Sequence, residues 1–292
     1  MIPKTVDLSV IIPSFNTALL LVECIESIHS RTWRGCIEII VVDNGSTDGT
    51  SDVVARKHPN VQMIKLPDNR GYGAACNAGA RKAHGTVLLF LNSDTQVLEG
   101  SLNAVLDAFH QFPDLGCASC REISPKGETV PGCLSHHTLR SAISAMTRYA
   151  IFRAEGARLR ITDWDRKSDR WVENANGFAW AIRREAFEKI GGFDENIFLY
   201  FEEQDITLWL QQAGYRNRYL SGARVIHLLS QSSKKISLWK KRQLWLRSFV
   251  CLRKKHGLSR SVIMDSVIIY PFLVLWWMRA CIREWRLFKL VI

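Results

Sequence analysis

The sequence predicts an α/β protein built on a mainly parallel sheet flanked by helices, with a basic helical extension at its C-terminal end. Three observations carry that expectation. Apolar runs of strand length alternate with helix-periodic segments from Leu8 to Leu91. Those runs are nearly continuous in apolar residues, as strands covered on both faces must be. The excess of positive charge gathers at the C-terminal end rather than spreading over the chain.

The elements follow in order. Leu8 to Pro13 is a strand, and Leu19 to Ser30 has the spacing of an amphipathic helix. Ile37 to Asp43 is a second strand, and Asn44-Gly45 turns the chain. Ser46-Thr47-Asp48 offers capping oxygens to a helix that runs to about Lys57. Val61 to Leu66 is a third strand, Tyr72 to Ala83 a helix and Val87 to Leu91 a fourth strand. Repeated strand–helix units of this length produce a parallel sheet with helices on both faces. Ligands of such sheets lie at the carboxyl ends of the strands. The polar groups just after the strands are therefore expected to converge: Pro13-Ser-Phe-Asn16, Asp43-Asn-Gly-Ser46, Asn69-Arg-Gly71 and Asn92-Ser-Asp94.

The second half is less regular. Leu115 to Cys120 reads as a strand, and residues 121–170 lack periodicity, which fits an excursion over the site. Trp171 to Arg183 is extended, Arg184 to Ile190 a short helix, and Gly191-Gly192 its stop. The acidic cluster Glu202-Glu203-Gln204-Asp205 opens a helix that reaches about Ala213. Arg218–Leu220 and Arg224–Ile226 are two short strands, with His227 after the second. The domain division that follows is a body over residues 1–230 and a basic, partly apolar helical extension over 231–292.

Charge divides the chain in the same place. From Arg224 to Ile292 there are 15 Lys and Arg against two acids, +13, which leaves the preceding residues at −2 of the overall +11. A tail so charged seeks an anionic partner. The apolar stretch Val267 to Met278 has 12 residues, short of the ~20 that cross a bilayer as a helix. With Arg279, Arg283 and Trp285 beside it, the tail fits an anionic membrane surface better than nucleic acid. Asp7 interrupts the first apolar run, so the start reads as a strand and not as a signal sequence.

The eight cysteines are scattered, as in a reducing compartment. Cys117, Cys120, Cys133 and His136 imitate the spacing of a zinc site. Positions i and i+3 of a strand point to opposite faces, however, so Cys117 and Cys120 cannot share one ion.

Taken together, Val10-Ile-Ile-Pro-Ser-Phe-Asn16, Val41-Val-Asp-Asn-Gly-Ser-Thr-Asp-Gly-Thr50, Asn69 to Asn77, Phe90-Leu-Asn-Ser-Asp94, Gly191-Gly-Phe-Asp-Glu195, Tyr200-Phe-Glu-Glu-Gln-Asp205 and Val225-Ile-His227 resemble the family 2 inverting glycosyltransferases, especially the bacterial rhamnosyltransferase-like members. The resemblance spans about residues 7–230. It implies a GT-A-type mixed, mainly parallel sheet and a nucleoside-diphosphate sugar as donor, dTDP-rhamnose first and UDP-hexoses second. Pro13, Asn16, Asp43, Asn69, Arg70, Gly71, Asn77, Asn92 and Ser93 would surround the donor, with Asp43 on a pyrimidine base.

Asp94 ends the family's metal motif, whose first carboxylate is replaced here by Asn92. Asp94 and His227 would then hold Mn2+ or Mg2+ together with diphosphate oxygens, since oxygen ligands with one imidazole suit those ions. Glu203 stands where the family has its catalytic base. Glu202 would raise the pKa of Glu203 by like-charge repulsion, and Asp205 is the second candidate for the base. On a helix Glu202 and Asp205 share a face, with Glu203 about 100° away. The implied acceptor is a polysaccharide or lipid-linked oligosaccharide, reached by a cytoplasmic enzyme held peripherally at the inner face of a bacterial inner membrane. Two rivals remain. A nucleotidyltransferase would want a basic phosphate loop near the N-terminus, and Phe15 to Leu20 holds no Lys or Arg. A non-catalytic nucleotide-sugar-binding protein would explain the departures at Asn92 and Glu203. The first strand lacks the glycine-rich turn of a dinucleotide dehydrogenase.

Overall fold

The computed structural model describes residues 6–132, 135–136, 164–228 and 237–258. Four strands open the fold: β1 Leu8–Ser14, β2 Ile37–Asn44, β3 Gln62–Leu66 and β4 Val87–Leu91. Three helices separate them: α1 Ala18–His29, α2 Thr50–Lys57 and α3 Tyr72–Ala80. These strands pair in parallel in the order β3-β2-β1-β4. The chain order reverses between β1 and β4, which opens a crevice at their carboxyl ends. Pro13 widens it: β1 follows β2 as far as Ser14, but its pairing with β4 ends at Ile11. Proline has no N–H to give to a second neighbour.

The remainder completes a mixed sheet. After β5 Thr95–Val97 and α4 Ser101–Gln111 come β6 Leu115–Ile123, β7 Arg170–Val172 and β8 Ala179–Arg183. Helix α5 Arg184–Lys189, helix α6 Glu202–Gln212, strand β9 Arg216–His227 and helix α7 Leu238–Lys255 follow. The full path is β3-β2-β1-β4-β8-β6-β9-β5, with β7 on β9. Strand β8 runs antiparallel to both β4 and β6, whereas β6 and β9 are parallel.

Side chains alternate along β1 between two buried cores, one on each face of the sheet. Val10 and Ile12 join the core under α1 and α4, while Ile11 joins the opposite one under α3 and α5. Each such side chain contributes about 1.5–3 kcal/mol by leaving water. Helix α3 lies close to the sheet because its facing residues are small: a Cβ at Gly79 would overlap the side chain of Ile11.

Several expectations are refined. The two short strands expected near 218–226 are one strand, β9, with a register shift between Leu220 and Arg224 that bends it without ending it. The segment expected to stay extended from Trp171 divides into β7 and β8. Strand β5 and helix α4 were not signalled: β5 is three residues long and α4 follows a glycine start at Gly100. Cys117 and Cys120 enter opposite cores, as strand geometry requires. Among the described residues no group of three His, Cys, Asp or Glu side chains is arranged to hold a metal. Cys133 and the apolar stretch 267–278 lie outside the described residues.

Within the C-terminal extension, the described residues 237–258 hold helix α7, which packs on the body. Phe249 and Leu252 of α7 are buried against Phe201, the residue that caps α6. No described helix is long and apolar enough to cross a membrane.

Candidate active site

The strand ends converge through hydrogen bonds between their side chains. Ser14, Thr17 and Ser93 form a buried hydroxyl chain that links β1 to the turn after β4, each step 2.8 Å. Asn16 sits in the left-handed region, φ 54°, where asparagine is tolerated. Its backbone N–H donates to Ser46 Oγ and its side-chain oxygen accepts from the Thr47 N–H at 2.8 Å. Asp43 is buried, and its two oxygens accept from the Ser46 N–H and the Ser51 hydroxyl. It therefore orders the turn after β2 from inside.

Asn44, outside the expected donor set, joins the next strand end. Its amide donates to Asn69 Oδ1 and to the Gly71 carbonyl, and its oxygen accepts from the Arg70 N–H. Gly71 has φ 88°, and a Cβ there would meet the Phe198 carbonyl at 2.7 Å, so a side chain is excluded twice over. The Arg70 guanidinium extends to Glu195, 3.2 Å away. Asn77 ties two parts of the chain together. Its amide donates to the Phe193 carbonyl and to Glu195, and its oxygen accepts from the Phe193 N–H. Both ends of that side chain clamp the 191–195 turn onto α3.

At the end of β4, Asp94 faces the end of β9. His227 Nε2 lies 3.4 Å from Asp94 Oδ1, and its Nδ1 lies 2.9 Å from Glu122 Oε1. The ring stacks on Phe178 at 5.2 Å. Burial alone would lower the imidazole pKa, but the hydrogen bonds and charges of Asp94 and Glu122 outweigh it and raise it to about 9. Glu122 was absent from the expected site. Its one signal is an acid that is buried within strand β6.

This arrangement fits a divalent cation on its chemistry. Glu122 accepting from Nδ1 fixes the orientation in which Nε2, once it gives up its proton, offers a lone pair beside Asp94, the carboxylate–histidine pattern common behind metal ligands. Two neighbouring ligands of a small hard cation stand about 3 Å apart, close to the observed Nε2–Oδ1 separation of 3.4 Å.

A cavity of about 360 Å³ joins this group to the acidic cluster. His227, Glu122 and Asn92 line one part of it, and Tyr72, Glu202 and Glu203 another. Pro13, Asn16, Asp43, Asn69, Arg70, Gly71 and Ser93 are not in its wall; they build the loops beside it. Helix α6 starts on Tyr200 and Phe201, both at φ 72°, which turns its first residues into the cavity. Burial raises Glu202 well above the usual carboxylate range, with the charge of Glu203 adding to it. Burial also raises Glu203, but hydrogen bonds from its own backbone, from Glu202 and from Gly177 offset that rise. Both acids are thus held above the usual range, Glu202 the further of the two, and a hydrogen bond joins them. The expected like-charge repulsion on Glu203 is replaced by this hydrogen bond.

Asp205 is held by the C-terminal helix. Its carboxylate is 1% exposed and accepts from His256 Nε2 at 2.7 Å and Lys255 Nζ at 2.9 Å. Both partners belong to the end of α7, so Asp205 anchors that helix. Glu202 enters the cavity, whereas Asp205 meets α7. Trp180 is fully buried and donates to the Tyr72 hydroxyl, which in turn donates to the Gly177 carbonyl.

The sequence profile described as "Glycosyl transferase family 2" matches residues 9–191. The chain belongs to glycosyl transferase family 2. Among relatives of this glycosyltransferase is the N-acetylglucosaminyl-diphospho-decaprenol L-rhamnosyltransferase of Mycobacterium tuberculosis, 30% identical over 210 residues, 68% of each chain. The O-antigen biosynthesis protein RfbC of Myxococcus xanthus is 26% identical over 78% of this chain but only 18% of its own length. Among solved structures, a mannosyltransferase of Pyrobaculum calidifontis in complex with GDP-Man and Mn2+ superposes with a TM-score of 0.58 at 20% identity, covering 94% of this chain and 72% of that one. S. aureus TarS 1-349 in complex with UDP-GlcNAc gives 0.58 at 18% identity, over 91% and 71%. At such identities the likeness concerns the fold, a GT-A-type mixed, mainly parallel sheet flanked by helices.

Proposed function

We propose that this glycosyltransferase moves rhamnose, or another hexose, from a nucleoside-diphosphate donor to a lipid-linked glycan by single displacement with inversion. The observation that carries the reading is that one cavity is lined both by Glu203, joined by a hydrogen bond to Glu202, and by His227, which faces Asp94. The acceptor hydroxyl attacks the anomeric carbon as its bond to the diphosphate oxygen breaks. The bonding pair leaves with the diphosphate, and the hydroxyl proton passes to Glu203. Burial makes Glu203 a stronger base than a solvated carboxylate, which suits proton transfer near neutral pH. Glu202 donates its hydrogen bond to Glu203 and keeps its carboxylate aimed into the cavity. Asp94 and His227 would hold the divalent cation, Mn2+ or Mg2+, whose charge supports the departing diphosphate. Asn92 offers an uncharged oxygen there.

The loops of Asn16, Asp43 and Arg70 form the nucleotide side of the crevice, with Asp43 ordering the turn that receives the base. Rhamnose and a polyprenyl-diphosphate-linked acceptor are favoured by the mycobacterial relative's name. Placement at an anionic membrane surface, on the cytoplasmic face, is supported by α7. Lys240, Arg247 and Lys254 recur every seven residues and are exposed along that helix. Each basic residue near such a surface is worth about 1 kcal/mol.

The test is nucleoside diphosphate release from a panel led by dTDP-rhamnose and UDP-hexoses, with Mn2+, with EDTA, and with polyprenyl-diphosphate-linked acceptors. Acceptor-dependent release that EDTA abolishes, with an inverted anomeric product by NMR, is expected. Retained nucleotide binding without release from any pair would favour a binding protein instead.

A further inference from the structure

We propose that the part of the cavity beside Glu203 is the acceptor's sugar subsite and that Trp245, from the C-terminal helix α7, is its aromatic wall. The inference rests on the glycosyl-transfer reading above and extends it to the acceptor.

Three observations carry it. Trp245 lines the same cavity as Glu203, although it lies some forty residues further along the chain. Its half-buried ring is stacked on Phe249 at 5.1 Å and 17°, and meets Phe201 edge-on at 5.1 Å. Phe201 caps the helix that bears Glu203. The ring and the proposed base therefore belong to one packed unit.

The second observation is polar. Among the described residues, Glu202 Oε1 and Asn176 Nδ2 are buried with no hydrogen-bond partner, and both residues line this cavity. Leaving a buried polar atom unpaired costs about 1–3 kcal/mol. Two of them in one cavity mark a place where a polar ligand completes the bonding. An aromatic face beside a few convergent polar groups is what a sugar ring requires: its C–H face packs on the indole while its hydroxyls reach the amide and carboxyl.

The third observation separates acceptor from donor. The diphosphate side of the cavity is fixed by His227 and Asp94, whereas the base must touch the acceptor hydroxyl. Groups that surround Glu203 from α7 therefore meet the acceptor. The helix is held in register for this task. Asp205 is clasped by Lys255 and His256, Lys255 also reaches Asp194 at 2.9 Å, and Ser248 Oγ donates to the Leu199 carbonyl at 2.8 Å. The C-terminal extension thus contributes part of the site rather than an appendage to it.

The experiment measures steady-state kinetics of the full chain with dTDP-rhamnose and a short-chain prenyl-diphosphate-linked N-acetylglucosamine, alongside the nucleoside diphosphate Kd by calorimetry. Trp245→Ala should raise the acceptor KM about tenfold or more, as expected for losing an aromatic contact and its packing. The nucleoside diphosphate Kd should stay within twofold. Trp245→Leu keeps apolar packing on Phe249 and should show the same rise, which holds the test if the alanine variant melts early. Trp245→Phe should recover part of the affinity. An acceptor KM that stays at the wild-type value in Trp245→Leu overturns the inference while leaving glycosyl transfer intact. A rise in nucleoside diphosphate Kd as large as the rise in acceptor KM also overturns it, since Trp245 would then serve the donor side. Wild-type protein that turns over no donor–acceptor pair overturns the reading on which the inference stands.

Discussion

Divalent cation affinity should rise by about a decade per pH unit between pH 7 and pH 9, because the cation has to displace a proton from His227. Asp94 and Glu122 raise the pKa of that imidazole to about 9, against about 6.5 for an unperturbed histidine. At pH 7, two units below the folded value, roughly one ring in a hundred is neutral. The apparent affinity is then about 100-fold weaker than above pH 9, or about 2.7 kcal/mol. The last proton of a terminal phosphate leaves at about pH 6 to 7, so the slope above about pH 8 does not come from the nucleotide. Calorimetry with Mg2+ and a nucleoside diphosphate at pH 6.5, 7.5, 8.5 and 9.5 reads the affinity. Repeating pH 7.5 in buffers of different ionisation enthalpy counts the protons, and about one should leave per cation bound. Glu122→Gln removes one of the two carboxylates that hold the proton, so its plateau should begin at lower pH. An affinity flat above pH 7, with no proton released, would refute the assignment of His227 as a ligand. Stability of the metal-free protein follows the same linkage. The folded pKa exceeds the unfolded one, so this stabilisation is complete below about pH 6.5 and disappears as pH rises through about 9.

Other expected outcomes separate the acids and their neighbours. Glu203→Gln should leave nucleoside diphosphate affinity within twofold and lower turnover by two or more decades, the range of general base catalysis; near-normal turnover would remove Glu203 from the mechanism. Gly177→Ala should fold, since Gly177 does not need a positive φ, yet turnover should fall at least about tenfold. A Cβ there overlaps the Glu203 carboxyl, and unaltered kinetics would show that the placement of Glu203 is not critical. Asp205→Ala should cost about 3 kcal/mol in chemical denaturation, as breaking a buried ion pair does. A loss of turnover with unchanged stability would return Asp205 to the catalytic set. Asp94→Asn should weaken Mg2+ binding at pH 9 by at least about tenfold, measured by the same calorimetry.

The parallel half of the fold was legible because its signals are local. Strands that are apolar throughout, helices of regular period and turns rich in Asn, Gly and Ser all declare themselves within a dozen residues. Their convergence follows from topology, since parallel strands bring their carboxyl ends to one edge. The hydroxyl chain from Ser14 through Thr17 to Ser93 shows how closely those ends meet. Asn77 illustrates the limit. It lies within a stretch that resembles donor-binding sequence, yet its amide serves a turn more than a hundred residues away. Glu122 was hidden for the same reason. Nothing beside it in β6 reveals that His227 will lie 2.9 Å away, because that contact comes from the pairing of β6 with β9.

The acidic cluster carries the point furthest. Read along the chain, Glu202, Glu203 and Asp205 are equals, three acids at a helix start where acids are favoured. What separates them is the partner each finds, and those partners come from Gly177, from each other and from α7. Asp205 meets a lysine and a histidine fifty residues on, and both of its oxygens are taken up by them. Glu202, the more deeply buried of the pair, is held well above the usual carboxylate range and shares a hydrogen bond with Glu203. In the proposed mechanism Glu203, at the cavity, is the carboxylate that takes the proton. The helix that holds Asp205 also brings Trp245 beside Glu203. On that reading the C-terminal helix acts on the site in two ways: by tying down one acid of the cluster, and by closing the wall against which an acceptor would lie.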